Sequence, residues 1–310
     1  MNRAQEDAVG GTADPWARWL LQGRYGGDAL QGNAVDAAVR KYADRVLDAL
    51  PLTDGMTLAD IGSGDGLIAF RAIERLGKGL RVVLADRSAA LLERAQQIAA
   101  GRGVIGQCRF VQCDAEQLSP LPDGSVDALS TRAVLAYVPD KPKALREFHR
   151  VLKPGACFSL AEPIMQDDAF QVRALRLLLE RTPPEQVQPL TRWLHRWKAA
   201  QFPDTEEGIK HCPLTNFGER DLIRMAQEVG FSALHLELHI DIVPPTAESW
   251  DAFVRSSPHP LAPSLQTILQ ERFTPVEREE FERTMRPLWH DQRAFGTTRI
   301  AYLSGRKPAG

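Results

Sequence analysis

Three carboxylates and three glycines carry the chemistry legible in this chain. Asp60-Ile61-Gly62-Ser63-Gly64-Asp65-Gly66 closes a short apolar run and opens directly into the helical pattern Leu67, Ile68, Phe70, Ile73. Such a stretch is a strand delivered into a tight turn at a helix N-terminus, where glycines with positive φ let a ligand come up against the main chain. A dinucleotide fingerprint would put its third glycine at position 67, where Leu67 stands, so room for a diphosphate is not expected. Asp86 ends the next apolar run, Leu80 to Ala85, and Asp114 follows the run Cys108 to Cys113. A carboxylate at Asp86 can accept both hydroxyls of a ribose in a fork. Acids at three successive strand ends are the pattern of a nucleoside pocket along the carboxyl edge of an open sheet.

The elements that must position these groups alternate. From Leu58 to Ala161 strands and helices follow one another, which predicts an α/β fold with a doubly wound sheet. Upstream, Asp14-Pro15 reads as an N-cap and first-turn proline, and Val35 to Leu50 repeats apolar residues at helical spacing. Downstream, Ala169 to Glu180 and Pro189 to Phe202 are helical, Asp221 to Val229 is a helix stopped by Gly230, and Leu234 to Ile242 alternates as a strand. One long helix is predicted over Leu265 to Arg286, bounded by Pro263 and Pro287, and a last strand over Arg299 to Ser304. The expected organisation is a helical lid over 1–50, a Rossmann-like core over 51–164, a helical cap over 165–215, and completion of a seven-stranded sheet, with a helical insertion, over 216–310.

The Asp-x-Gly-x-Gly-x-Gly loop resembles motif I of the class I S-adenosylmethionine-dependent methyltransferases. The turn Leu121-Pro122-Asp123-Gly124-Ser125-Val126-Asp127 before the fourth strand is similar to that family's corresponding signature, and Leu152-Lys153-Pro154-Gly155 resembles its quinone-biosynthesis branch. The resemblance spans roughly Leu58 to Pro163 and implies S-adenosyl-L-methionine as cofactor. It places the cofactor site on Asp60, Gly62, Ser63, Gly64, Asp86, Arg87, Asp114, Ala115 and Thr131, with the acid after the third strand accepting the adenine amino group. In that family N-terminal helices often cover the cofactor, which makes Trp19 and Tyr25 lid candidates.

A sulfonium methyl is already electrophilic, so the protein's main task is to align the acceptor and exclude water. A base is needed only for acceptors such as phenols or amines. His195, His211 and His290 lie outside the repeated core, and His195 is the preferred base candidate because its helix also carries Trp193 and Trp197 as pocket walls. Tyr25, Arg132, Glu162 and Trp193 are the expected acceptor-binding residues, with Arg132 able to receive an anion. The expected acceptor is a small metabolite or natural-product intermediate, short peptides included. Methylation of a protein and a non-catalytic regulatory subunit that merely binds the cofactor stay open as alternatives.

Composition narrows the partners. A formal charge of −2 provides no basic field for nucleic acid, and Ser130-Thr131-Arg132-Ala133 lacks the Asn/Asp-Pro-Pro-aromatic turn of nucleic-acid amino-methylation. No apolar run approaches the roughly 20 residues of a membrane span, and Met1 to Asp7 has no apolar signal core. The four cysteines contain no Cys-x-x-Cys pair and are read as reduced thiols of a cytoplasmic protein. His235, Glu237, His239 and Asp241 alternate as the solvated side of a strand, so no metal site is expected, and a homodimer is the assembly allowed for.

Overall fold

The computed structural model describes residues 14–24, 26, 29–243, 249–291 and 296–309. Strands β1 (Thr57–Ile61), β2 (Arg81–Asp86), β3 (Cys108–Gln112), β4 (Val126–Arg132) and β5 (Leu152–Pro163) are followed by β6 (Ser232–Val243) and β7 (Gly296–Arg306). They form one seven-stranded sheet in the order β3-β2-β1-β4-β5-β7-β6. The first five strands pair in parallel, and β7 runs antiparallel between β5 and β6. The order reverses at β1 and β4, so the carboxyl ends of β1, β2 and β4 border the crevice where open α/β sheets hold ligands.

Helices α3 (Leu67–Leu76), α4 (Ala89–Gly101) and α5 (Lys141–Val151) join the parallel strands, and α2 (Ala29–Asp48) precedes them. Ala43, Val46 and Leu47 of α2 and Ile68, Ala69 and Ile73 of α3 bury one sheet face with Leu58, Val82 and Leu84. On the other face Leu145 and Phe148 of α5 and Leu222 and Met225 of α9 (Glu219–Val229) pack on Leu129, Phe158 and Leu160. Period-2 apolar strands and period-3.6 apolar helices therefore meet in two cores, one per face.

Before α2, Asp14 Oδ1 accepts from the amides of Trp16 and Ala17 at 3.0 and 3.1 Å, so the expected cap starts α1 (Pro15–Arg18), which runs into a π-helical turn, Trp19–Gly23. After β5 come α6 (Gln166–Arg181), α7 (Pro189–Lys198) and α8 (Glu206–His211). Between β6 and β7 lie α10 (Trp250–Arg255), α11 (Leu265–Arg272) and α12 (Pro275–His290). Trp193 and Trp197 of α7 join Trp250, Ile268, Phe281 and Met285 in a third core, so the cap is built from both insertions.

One expectation here needs correction. The single helix over Leu265 to Arg286 is two helices, because Thr274 caps α12 in a box with Glu277 and Pro275 occupies its first turn; Pro287 lies inside α12 rather than bounding it. Leu152-Lys153-Pro154-Gly155, the segment that resembles the quinone-biosynthesis branch, forms the beginning of β5, with a register shift against β4 between Val126 and Ala128.

Candidate active site

The glycine turn is shaped by its contacts. Gly62 has φ +66°, and a Cβ there would lie 2.2 Å from Val134 Cγ2, so only glycine lets β1 pass under the loop that follows β4. The amides of Gly62 and Ser63 both donate to the Ala85 carbonyl, at 2.7 and 3.1 Å, tying the turn to the end of β2. The Gly64 amide donates to Asp86 Oδ2 and the Ser88 amide to Asp86 Oδ1, each at 2.8 Å. Both carboxylate oxygens are thereby oriented, and each keeps a lone pair for a ligand hydroxyl. Asp60 is buried, with Oδ1 accepting from Ser130 Oγ at 2.9 Å and Oδ2 from the Ala69 amide at 3.3 Å. Burial nevertheless pushes its carboxyl up to about 7.

Above this edge lies a cavity of about 1260 Å³. Its walls include Asp60, Gly62, Ser63, Gly64, Asp86, Arg87, Asp114 and Ala115, so eight of the nine expected cofactor residues meet in one space. Asp114 is half-exposed and lies 3.5 Å from Arg87 Nε. The lid reaches over the same edge: Asp14 bonds Ser88 Oγ, Trp16 meets Tyr137 edge-on at 4.9 Å, and Trp19 Nε1 donates to the Ser257 carbonyl at 3.1 Å. The residues present fit an adenosyl sulfonium. Ser63 Oγ is buried in the turn without a hydrogen-bond partner, the glycines leave a backbone cradle beside it, and three acids face a ligand that carries positive charge.

Thr131 is the exception among the nine. Successive strand residues point to opposite faces, and Arg132 lines the cavity while Thr131 turns into the core, fully buried with Oγ1 unpartnered. Arg132 holds its guanidinium 5.2 Å from the Tyr42 ring centre. The next residue, Ala133, has φ +52°, a strained conformation in the wall of the cavity. Glu162 explains how that strain is held: its oxygens accept from the amides of Val134 and Ala136 at 3.1 and 3.0 Å. Glu162 is fully buried and outside the cavity wall, so it braces the turn rather than touching an acceptor.

The cap residues also change place. α7 turns Trp193 and Trp197 into the aromatic core, where Trp193 lies 6.3 Å from Phe281, centre to centre. Trp193 therefore packs the cap and does not line the cavity. His195 faces a separate shallow depression, with Nε2 3.0 Å from Asp204 Oδ2, and so cannot reach an acceptor held in the main cavity. The residues of α7 that do line the cavity are Leu194 and Lys198, one turn apart. Tyr25 lies outside the described residues. Sequence reasoning also missed Lys141, whose buried ammonium donates to the carbonyls of Val138 and Pro213 and to Asn216 Oδ1 at 3.1, 2.8 and 3.0 Å, joining the β4 loop to the segment before α9.

A family model described as "Methyltransferase domain" matches residues 52–230, more than half of the chain. The ubiquinone/menaquinone biosynthesis C-methyltransferase UbiE of Idiomarina loihiensis is 40% identical over 116 residues, 37% of this chain and 46% of that protein. The chain thus spans about half the length of the curated relatives it matches. Among solved structures, the YcgJ protein of Bacillus subtilis shares the fold with a TM-score of 0.54 at 17% identity, covering 87% of this chain and 99% of that one. The [4+2]-cyclase SpnF does so with a TM-score of 0.50 at 20% identity, covering 88% and 82%. A protein named for cyclisation on this fold means that fold alone does not define the reaction.

Proposed function

We propose that this chain, a member of the methyltransferase-domain family, is an S-adenosylmethionine-dependent methyltransferase whose acceptor is a small metabolite or natural-product intermediate held beneath the cap. The observation that carries this reading is the continuity of one cavity of about 1260 Å³ from the three acids to Leu175, Leu194 and Phe202 of the cap segment. Drug-sized ligands occupy pockets of about 300–1,000 Å³, so a space of this size has room for a cofactor and a compact acceptor together. A folded protein acceptor would need the reacting edge open, whereas here Trp16, Trp19 and the cap residues all wall it.

The cofactor supplies the activated methyl group. Asp86 and Asp114 would hold its nucleoside, with the turn over Gly62 to Gly64 as the backbone cradle beside it. Arg132 and Ala133, at the end of β4, shape the wall where acceptor and cofactor meet, and Glu162 keeps that wall from relaxing by holding the amides of Val134 and Ala136. The lid and cap cover part of this edge and so limit the access of water, which favours a displacement whose reactants are held in line.

The test is to incubate the full chain and a cell extract with methyl-labelled cofactor and separate products by mass. Label in the low-mass fraction is the expected result. Label confined to protein would replace this reading with protein methylation, and cofactor binding without turnover on any acceptor would favour a regulatory subunit.

A further inference from the structure

The cap end of the cavity has a charged cluster of its own, apart from the three acids at the sheet edge. Lys198 of α7 lines the cavity; its Nζ lies 4.2 Å from the Trp197 ring centre and makes no side-chain hydrogen bond or ion pair among the described residues. From β7, Arg299 reaches the same region. Its Nε pairs with Asp167 at 2.9 Å, while Nη1 lies 4.0 Å from Asp168 Oδ2 and is buried without a hydrogen-bond partner. Asp168 also lines the cavity and is the acid whose field supports Lys198. Asp167 is about half exposed, so its charge is largely answered by solvent. Of the two carboxylates, only Asp168 lines the cavity with Lys198 and Arg299. Burial lowers the Lys198 ammonium and raises the Asp168 carboxyl from their ordinary ranges, because neither charge is fully compensated.

The walls around this cluster are apolar: Met165, Val172, Leu175, Leu194 and Phe202. A buried donor such as Arg299 Nη1 is costly to leave unpartnered unless a ligand supplies the acceptor, and the partly buried Lys198 ammonium has only the field of Asp168 to support it. We propose that this end of the cavity receives the anionic group of an amphiphilic acceptor, a carboxylate or phosphate ester on an apolar body, with Lys198 as its main partner and Arg299 Nη1 as a second donor. The proposal rests on the small-acceptor reading and deepens it. An anion bound here is kept away from Asp60, Asp86 and Asp114, so the acceptor enters with one orientation: charge under the cap, apolar body toward the end of β4. Charge-assisted hydrogen bonds from two fixed donors give that orientation its specificity.

Calorimetric titration of the full chain with decanoate, decyl phosphate and decanamide, with and without S-adenosylhomocysteine, tests the proposal. At least one anion should bind tenfold or more tightly than the neutral amide. Decanoate ahead of decyl phosphate identifies a carboxylate head, and the reverse order a phosphate; either supports the site. Lys198→Met should erase the preference, and Lys198→Arg should retain most of it, a rescue that general loosening of the cap would not produce. Equal binding of all three probes, or an undiminished preference in Lys198→Met, would overturn the proposal. Because the preference is read in the absence of S-adenosylhomocysteine as well, failure of that nucleoside to bind counts against the methyl-transfer reading and leaves the anion result standing on its own.

Discussion

Asp86 accepts from the Gly64 amide of the glycine turn and from the Ser88 amide, and it also lines the cavity, so it is the residue on which cofactor affinity should depend most. Hydrogen bonds to a charged group are worth about 1.5–3 kcal/mol, so Asp86→Ala is expected to weaken S-adenosylhomocysteine binding tenfold or more in calorimetry; an unchanged constant would remove it from the site. Asp60 makes a different prediction. Its carboxyl is raised by burial to about 7, with only partial relief from Ser130 and the Ala69 amide, so the folded chain holds a proton that the unfolded chain releases near 3.8. The sign follows: this contribution is fully present below the unfolded value and is lost as pH rises toward the folded one, at about 1.4 kcal/mol for each pH unit over which only the folded chain keeps the proton. Asp60→Asn, which keeps the shape and cannot ionise, should therefore lose less thermal stability than the wild type between about pH 4 and 7 in cofactor-free melts. Parallel profiles would show that Asp60 does not titrate in this window. Both acids were legible from residue type and strand-end position. Glu162 was legible only as an acid near the site, because nothing in its type tells whether a carboxylate faces ligand or caps backbone amides.

The turn between β1 and α3 is where backbone conformation and packing act together. Gly62→Ala places a side chain at positive φ, a cost of about 1–3 kcal/mol, and drives its Cβ into Val134. The variant should melt several degrees lower and bind cofactor weakly. Val134→Ala in the same chain should restore part of the stability, since it clears the contact but leaves the φ cost; no recovery would mean that the clash is relieved elsewhere. This element was readable because spaced glycines after an apolar run admit few alternatives. Helix α7 was not. Its periodicity defines faces, but Trp193 and Trp197 on one and Leu194 on the other are all apolar, and only the tertiary packing of α12 decides which pair is buried. The Thr274-Pro275-Val276-Glu277 box that splits the expected 265–286 helix was present in the sequence as a start signal, outweighed there by uninterrupted helical spacing on either side.

At the scale of the molecule, the cap enters by two routes, one after β5 and one between β6 and β7, and the two meet in the aromatic core around Phe281. Truncating a large buried aromatic costs about 3–5 kcal/mol, so Phe281→Ala should loosen α7 and α12 together while leaving the β1–β2–β4 edge intact, as amide hydrogen exchange resolved by segment would show. Exchange that rises in α12 alone would mean the two insertions are independent. Of this architecture the seven strands were countable from the sequence, but the shared core was not, since it joins helices about 80 residues apart that have no common periodicity. β7 is the seam of the arrangement, with a partner strand on each side. A roof stitched down along two separate hems has no single hinge line to swing about. Traffic into such a chamber is expected to need both hems to give together, so that a guest's residence time should shorten when the aromatic stitching around Phe281 is loosened.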